Sequence, residues 1–389
     1  MDTLYGFEPR YDAVIAGARC AGAATALLLA RSGAKVLMVD RQAYGSDTLS
    51  THALMRGAVL QLTRWGLIPD ITAAGTPAIP STTFCYGSEA IRVDIKPEHG
   101  VECLFAPRRT VLDRLLVDAA RKAGAEVRHG TLLSELLFAS DGRVNGVSLK
   151  DAGGSSMTVR ADIVIGADGR QSTVAQSVKA RAYVEGSNAS GTVFGYFENL
   201  RQDGFHWYFA KNVAAGVIPT NAGHCVFAAV PAQRFSATFR GDVRRGFLQV
   251  LEASNPELRA DVECGTPIGR LRGFGGAPGY LRQCHGAGWA LVGDAGYFKD
   301  PSTAHGITDA LRDADLLSRA IIAGGRRALA AYQRERDALS MPLLRLTDAI
   351  ASFSWDLDEV KQLHADLSAA MKAETNHLAG LSLLPSLAA

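Results

Sequence analysis

The sequence lacks a long apolar run, and its N-terminus lacks the features of an export signal. The longest apolar stretch near the start, residues 21–30, is too short to span a bilayer. The first residues, MDTLYGFEPR, carry acidic side chains and no basic segment followed by an apolar one. We therefore expect a chain without stable membrane insertion and with a cytoplasmic location.

Cysteine is scarce, and charge of neither sign prevails. The six cysteines form no C-x-x-C pair and no histidine stands at metal-ligand spacing from them, so neither a disulfide framework nor a metal centre is expected. Lysine and arginine number 41 against 39 acidic residues, which gives no electrostatic reason to expect nucleic acid as a partner. A hydrophobic fraction of 47% over 389 residues is typical of a globular chain with two domains or more.

A βαβ unit is predicted at the start of the chain. A strand at residues 11–16 meets the segment GARCAG, an Ala/Leu-rich helix covers residues 23–31, and a second strand ends at Asp40. Gly17 permits a tight turn, Gly22 permits close packing of helix on strand, and the helix N-terminus can receive a pyrophosphate. Arg19 replaces the middle glycine of the dinucleotide fingerprint, and its side chain is expected along the phosphates or in water. The unit predicts a dinucleotide site.

Two further strands end in acidic turns. Residues 161–165 lead into Gly166-Ala167-Asp168-Gly169, and residues 289–292 lead into Gly293-Asp294. After the second turn, a loop closed by Pro301 precedes a helix that begins near Gly306. Asp294 can accept hydrogen bonds from sugar or ribityl hydroxyls, and the free N–H groups of Gly306 and Ile307 can hold negative charge at a helix N-terminus. A reduced flavin ring requires such surroundings.

Other polar positions leave alternatives open. Ser50 or Thr51 can cap a helix beside a surface His52, or this loop borders the ligand. Arg108 and Arg109 begin a predicted helix, where their charge is unfavourable unless an anion lies there. Residues 183–280 form mostly strands, interrupted by a helix at residues 242–252. In that region Phe205, Trp207 and Phe209 alternate with His206 and Tyr208, and a period of two does not say which set faces a ligand.

The three motifs, in this order and spacing, resemble those of the p-hydroxybenzoate-hydroxylase-like flavoproteins, the FAD-dependent aromatic monooxygenases, whose relatives include geranylgeranyl reductases and flavin halogenases. The resemblance implies an α/β fold: a Rossmann-like FAD-binding domain with an inserted antiparallel-sheet substrate domain and a C-terminal helical segment. The FAD-binding domain is expected at residues 1–79, 104–182 and 280–329, the substrate domain at 80–103 and 183–279, and the helical segment at 330–389. Halogenation is not expected, because the segment AGVIP at residues 215–219 lacks the family's tryptophans.

The resemblance also implies cofactor roles. The ADP half of FAD is expected at Gly17, Gly22 and Asp40, and Arg19, Arg41 and Arg109 are further expected contacts of the cofactor. Positions near the pyrophosphate, where NADPH is also expected to arrive, are implied for Asp168 and Gly169. The ribityl chain and the ring are implied to lie at Gly293, Asp294, Pro301, Gly306 and Ile307.

The activity implied is that of an FAD-dependent monooxygenase. It hydroxylates or epoxidises an electron-rich, aromatic or polyketide-like small molecule through a flavin C4a-hydroperoxide, with NAD(P)H as reductant. The alternative is a double-bond reductase of the geranylgeranyl-reductase type. Electrons come from NADPH directly or from an external flavin or ferredoxin reductase. His52, His206 or His305 is the candidate acid–base group; position in the sequence favours His305 as nearest the ring.

Overall fold

The computed structural model describes residues 9–384. It contains two large sheets with helices packed around them. The strands are, in chain order, β1 (Arg10–Ala16), β2 (Val36–Asp40), β3 (Ser81–Tyr86), β4 (Glu89–Asp94), β5 (Glu126–His129), β6 (Thr131–Phe138), β7 (Val144–Asp151), β8 (Ser156–Gly166), β9 (Ala182–Glu185), β10 (Ser190–Glu198), β11 (Phe205–Ala210), β12 (Val213–Thr220), β13 (Gly223–Pro231), β14 (Thr266–Phe274), β15 (Tyr280–Arg282), β16 (His285–Gly286), β17 (Trp289–Leu291) and β18 (Tyr297–Phe298). The helices are α1 (Cys20–Arg31), α2 (Arg56–Arg64), α3 (Ile68–Ala73), α4 (Arg109–Lys122), α5 (Thr173–Ser177), α6 (Phe235–Phe239), α7 (Val243–Ser254), α8 (Pro256–Cys264), α9 (Gly306–Ala323), α10 (Gly325–Ala351) and α11 (Leu357–Gly380).

The first sheet brings the three sequence motifs to one edge. Its strand order is β16-β17-β8-β1-β2-β5, and the strands from β17 to β5 are parallel. Ala16 at the end of β1 lies beside Gly166 of β8, and Gly166 lies beside Leu291 of β17. Because the carboxyl ends of parallel strands meet at one edge, the turns that follow these strands lie together.

Helix α1 is buried along nearly its whole length, and its first half consists of small residues. Leu27, Leu28 and Leu29 are fully buried, and the helix packs against α4 and α9. Small side chains allow this close approach, so α9 reaches the same sheet edge as the glycine turn after β1. The predicted Rossmann-like unit is confirmed.

The second sheet has the order β14-β10-β13-β12-β11-β3-β4, and its neighbours are antiparallel except for β11 beside β3. Tyr208 packs with Phe247 and Leu258 of α7 and α8 on one face. Phe205, Trp207 and Phe209 join the main core on the other face. The structure thereby resolves the alternation that the sequence left open: the aromatic set at odd positions faces the first sheet.

The prediction of one helix in this region is incomplete. Helix α7 lies where the sequence indicates, with the Asp242 side chain accepting the N–H of Arg245, but α6 and α8 were not predicted. Asn255 and Pro256, as N-cap and first helical residue of α8, are the signal that would have identified it. We propose the domain division expected from the sequence, because the two sheets separate along those bounds.

Helices α10 and α11 form the C-terminal segment. Helix α10 packs on α9 and α11, and α11 also contacts α2. Helix α11 begins with a capping box formed by Asp356 and Glu359. Across residues 9–384, every helix is too short or too polar to cross a membrane.

Candidate functional site

A cavity of about 860 Å³ lies at the edge where the three motif turns meet. This volume falls in the upper part of the range of small-molecule sites. Most residues expected to contact a cofactor line its wall, namely Gly17, Arg19, Asp40, Arg41, Arg109, Asp168, Gly169, Asp294, Pro301, Gly306 and Ile307. Gly22 and Gly293 do not line it, but each lies against a residue that does, Gly22 against Gly17 and Gly293 against Ala21.

The turn after β1 requires glycine at two positions. Gly17 has a φ of +104°, and a Cβ there would lie 2.4 Å from the carbonyl oxygen of Ala167. A Cβ at Gly22 would lie 1.9 Å from the carbonyl oxygen of Gly17. Asp40 accepts the N–H of Ala18 at 2.7 Å, so its carboxylate fixes this turn while still lining the cavity. The result is a cradle of backbone at the N-terminus of α1.

Carboxylates compensate the basic start of α4. The Arg109 Nε donates to Asp113 at 2.9 Å, and an Arg19 Nη donates to the other oxygen of Asp113 at 3.2 Å. Arg108 pairs with Asp47 at 3.2 Å. The Arg19 side chain therefore lies against α4, with 29% of its surface exposed, rather than in water.

Two carboxyl groups fit the hydroxyl and phosphate-linked parts of a dinucleotide. Asp168 accepts the N–H of Thr173 through one oxygen, and its other oxygen is buried without a partner among the described residues. The Asp294 carboxylate has no hydrogen-bond partner within residues 9–384, and Arg170 and Arg109 lie in its field. Burial raises the pKa of both carboxyl groups. Because an unpaired buried oxygen is unfavourable, Asp168 is suited to a ligand that donates hydrogen bonds, and the partly exposed Asp294 carboxylate can accept such bonds as well.

The loop before α9 is tied to the second sheet. Asp300 accepts the N–H of Ser190 and the Ser190 hydroxyl, both at 2.7 Å, and this fixes Pro301 against β10. The N-cap of α9 is His305, whose side chain does not cap the helix. The first N–H groups of α9, at Gly306 and Ile307 in the cavity wall, thus keep their capacity for a negatively charged ligand.

His52 is the only one of the three candidate histidines in the cavity wall. Its Nε2 is hydrogen-bonded to the Tyr196 hydroxyl, while its Nδ1 is buried without a partner among the described residues. Its backbone has a φ of +70°, a strained conformation that clusters at functional sites. Burial, with a smaller effect from nearby arginines, holds the pKa of His52 well below its usual value. The imidazole is therefore neutral at physiological pH.

Of the two alternatives for segment 50–52, a helix cap or a loop beside the ligand, the structure excludes the helix cap. Helix α2 begins at Arg56 with Met55 as its N-cap, and the Ser50 hydroxyl accepts the N–H of His52 instead. This side chain to backbone contact stabilises the unusual backbone at His52. Segment 50–52 is a cavity loop rather than a helix start.

The other two candidate histidines lie outside the cavity wall. The His305 ring is directed at α11, where its Nε2 lies 2.6 Å from Glu374 Oε2. The His206 ring stacks on Tyr208 with centroids 6.3 Å apart, on the face of the second sheet that α7 and α8 cover. The position of His305 next to Gly306 in the sequence predicted that it lies nearest the flavin ring. The geometry at the start of α9 instead turns the His305 side chain away from the cavity. Neither ring is placed to exchange a proton with a ligand in the cavity.

A second, apolar cavity of about 30 Å³ adjoins the large one. Thr51, Thr192 and Pro301 line both cavities. Among the residues that the structure describes, no ionisable side chain lines the small cavity, and the buried Ser302 hydroxyl in its wall has no partner. Its other walls are mainly aromatic, from Trp207, Phe209, Phe227, Phe353 and Trp355.

Several of these residues were missed by sequence reasoning. Phe353 and Trp355 lie in the connection between α10 and α11, a region to which the sequence assigned no chemistry. Lys299, in the wall of the large cavity, was passed over although it interrupts an apolar segment between the Gly-Asp turn and Pro301. An isolated charge in such a segment, and an aromatic pair in a short helix connection, are the signals that could have identified them.

Comparison with known proteins places the chain in a family. Residues 10–347 match the family profile described as FAD binding domain, so the chain belongs to this family and is an FAD-dependent oxidoreductase. The buried, unpaired oxygen of Asp168 and the glycine cradle fit this cofactor.

Individual relatives fall into different functional groups. The chain is 25% identical to digeranylgeranylglycerophospholipid reductase 1 of Methanococcoides burtonii over 81% of this chain and 75% of that protein. Its fold is similar to the flavin-dependent brominase Bmp2, with a TM-score of 0.79 and 17% identity over 96% of this chain and 94% of that one. It is also similar to Pseudomonas aeruginosa PqsL in complex with 2-aminobenzoylacetate, with a TM-score of 0.74 and 19% identity over 93% of this chain and 100% of that one. At these identities the two solved structures establish the fold alone.

Proposed function

We propose that the protein is an FAD-dependent monooxygenase that acts on a compact, uncharged aromatic or enol substrate, with NAD(P)H as reductant. The observation that carries the proposal is the apolar cavity, whose aromatic walls join the large cavity at Thr51, Thr192 and Pro301. Flat apolar walls recognise a flat apolar ligand through dispersion and edge contacts. The absence of an ionisable lining group in the described part of the chain disfavours a charged substrate at this end.

Different residues of the chain would bind the cofactor, orient the substrate and exchange a proton with it. Bound FAD supplies hydride acceptance and oxygen activation. The glycine cradle, Asp168 and Asp294 would hold the cofactor, and the N-terminus of α9 would stabilise negative charge on it. The aromatic walls would orient the substrate and exclude water, and Nδ1 of His52 would exchange a proton with it.

A double-bond reductase is the second candidate, favoured by the reductase among the sequence relatives. Such an enzyme would need the same cofactor cavity and would not consume oxygen. Oxygen consumption separates the two candidates, because the apolar cavity of about 30 Å³ is smaller than either an aromatic ring or an isoprenoid chain, and either substrate would extend into the large cavity.

Anaerobic addition of NADPH to the purified yellow protein is expected to bleach the flavin absorbance, and air is expected to restore it with oxygen consumption stimulated by an aromatic substrate. The measurement is stopped-flow absorbance together with an oxygen electrode. Bleaching that air reverses without any substrate-stimulated product would favour the reductase. Bleaching by dithionite alone would point to an external reductase as electron donor.

Trp355→Ala is expected to weaken binding of an uncharged naphthol about 2- to 12-fold, the equivalent of the 0.5–1.5 kcal/mol that one aromatic pair contributes. The measurement is the change in flavin absorbance on titration with 2-naphthol. Trp65→Phe is the matched control, because Trp65 is 2% exposed and lines neither cavity. Equal affinity in wild type and Trp355→Ala would exclude the apolar cavity as the substrate site.

A further inference from the structure

Tyr196 on β10 lies directly behind His52. Both side chains are buried, but only His52 lines the large cavity, and Tyr196 lines neither of the two cavities. The Tyr196 hydroxyl has a single hydrogen-bond partner among the described residues, which is Nε2 of His52. The imidazole therefore faces the phenol with Nε2, and its buried Nδ1 is the ring nitrogen that is left for a ligand.

The hydrogen bond between Tyr196 and His52 can run in two directions, and the direction decides which ring nitrogen carries the proton. A phenol has one O–H donor, and a neutral imidazole has one N–H donor and one bare nitrogen that accepts. If Nε2 carried the proton, both the Tyr196 O–H and the bare Nδ1 would lack a partner within residues 9–384. If the Tyr196 O–H donates to a bare Nε2, only the Nδ1–H lacks one. Because an unmade hydrogen bond of a buried group is costly, the second direction is favoured.

The charges around the pair favour the same direction. The guanidinium of Arg108 lies 3.6 Å from the centroid of the Tyr196 ring, and Asp47 holds it there through an ion pair at 3.2 Å. A cation over the ring attracts its electrons, so the Tyr196 hydroxyl becomes a stronger donor and a weaker acceptor. Burial, with a smaller effect from nearby arginines, holds the pKa of His52 well below its usual value, so the ring has a single N–H.

We propose that Tyr196 fixes His52 in the form that carries its proton on Nδ1, so that the ring presents an N–H donor to the cavity. The substrates that fit this donor have an accepting oxygen, above all the carbonyl oxygen of a ketone, an enone or a quinone. A nitrogen that already carries a proton cannot remove one from a substrate hydroxyl, so His52 gives a proton or a hydrogen bond and does not take one. This donor role rests on the proposed substrate site and names the group that the substrate presents to it.

The loop around His52 places the donor where the two cavities meet. His52 follows Thr51, which lines both cavities. The Ser50 hydroxyl accepts the backbone N–H of His52 at 3.0 Å and so holds the residue at its positive φ. A ligand whose ring enters the apolar cavity can place an oxygen in the large cavity, where the donor lies. Recognition of the ring and recognition of the oxygen are thus divided between the two cavities.

The position of the proton can be measured on the full-length holoprotein with isotope-labelled histidine rings. Proton–nitrogen NMR distinguishes a ring nitrogen that carries a proton from a bare one, and the signals of His52 are those that disappear in His52→Asn. We expect the proton on Nδ1 in wild type and on both nitrogens, as a mixture, in Tyr196→Phe. Tyr208→Phe, which changes a buried tyrosine on the other face of the same sheet, should keep the wild-type pattern. A proton on Nε2 in wild type would overturn the proposal.

A pair of ligands tests the donor on the wild type itself. 1-Tetralone and tetralin share one apolar frame, and only the ketone has an accepting oxygen; the change in flavin absorbance reports their binding. Wild type is expected to bind the ketone about 2- to 12-fold more tightly, the net contribution of one neutral hydrogen bond. In Tyr196→Phe this preference should shrink while the affinity for tetralin stays unchanged, which a merely structural defect would not produce. Equal affinities for the two ligands in wild type would overturn the donor role.

Neither measurement depends on turnover or on oxygen. Loss of oxygenation in a protein whose His52 carries its proton on Nδ1 and prefers the ketone would contradict the monooxygenase proposal alone. Normal oxygenation with the proton on Nε2, or with equal affinities for the two ligands, would contradict the donor role alone.

Discussion

Replacing Gly17 by alanine is expected to remove FAD from the purified protein. At a φ of +104° an alanine is strained, and its Cβ would lie 2.4 Å from the carbonyl oxygen of Ala167. Strain alone costs about 1–3 kcal/mol, which corresponds to about 5- to 150-fold in affinity if the bound conformation must be kept. Relief of the contact with Ala167 would move the turn and disturb the hydrogen bond that the Ala18 N–H donates to Asp40. Both effects act on the cradle expected to receive the pyrophosphate.

Gly33→Ala is the matched control for this variant. Gly33 has a φ of +89°, but a Cβ there would meet nothing within 4 Å. It should lower the melting temperature through the same kind of strain without changing cofactor content. The measurement is the ratio of flavin to protein absorbance after desalting, with thermal unfolding alongside. Full FAD occupancy in Gly17→Ala would show that the glycine turn does not form the cofactor site.

The cofactor edge of the first sheet could be predicted from the sequence because local rules determine it. An apolar strand followed by a glycine or acidic turn occurs three times, and parallel strands place such turns at one edge. The register of Ala16 beside Gly166, and of Gly166 beside Leu291, follows from that rule. Gly17, Asp168 and Asp294 therefore reach one cavity although they lie far apart in the chain.

Side-chain direction could not be predicted, because long-range packing decides it. A helix N-cap can turn its side chain toward the cavity or away from it, and here the contact with Glu374 on α11 holds His305 away. The alternation of side chains along a strand places His206 and Trp207 on opposite faces of the sheet, but it does not say which face meets a ligand. In the structure, α7 and α8 cover the face of His206. Turn chemistry left two alternatives open at Ser50, and the structure decides for the one in which the Ser50 hydroxyl stabilises the strained loop at His52.

The C-terminal helices have a larger role than their sequence indicates. Their connection supplies Phe353 and Trp355 to the apolar cavity, and α11 supplies Glu374 to a buried ion pair with Arg312 of α9. Phe353 has a φ of +55°, unusual for a bulky residue, and such strain persists only where surrounding packing enforces it. The small apolar cavity and the buried ion pairs of α9 thus both depend on a segment to which the sequence assigned no chemistry.

His52→Asn is expected to lower substrate oxygenation about 10²- to 10⁴-fold, the usual contribution of one acid–base group. His52 is 1% exposed, lines the cavity, and leaves Nδ1 without a partner among the described residues. Asparagine tolerates a positive φ better than most residues, so the backbone of the loop is preserved. The loss should therefore reflect the missing imidazole rather than a disrupted fold.

The pH dependence and the reaction phases distinguish this role from a structural one. Burial keeps the pKa of His52 well below its usual value, so the ring is neutral at and above pH 7 and the fold-loss should be constant from pH 7 to 9. Cofactor reduction by NADPH should keep its wild-type rate, while product formation slows. Tyr196→Phe, which removes the hydrogen bond that orients the ring, should give a smaller loss of the same kind. His206→Gln, on the face of the second sheet that α7 and α8 cover, should keep near wild-type product formation. An equal loss of product formation in His206→Gln and His52→Asn would contradict the assignment of His52 as the acid–base group.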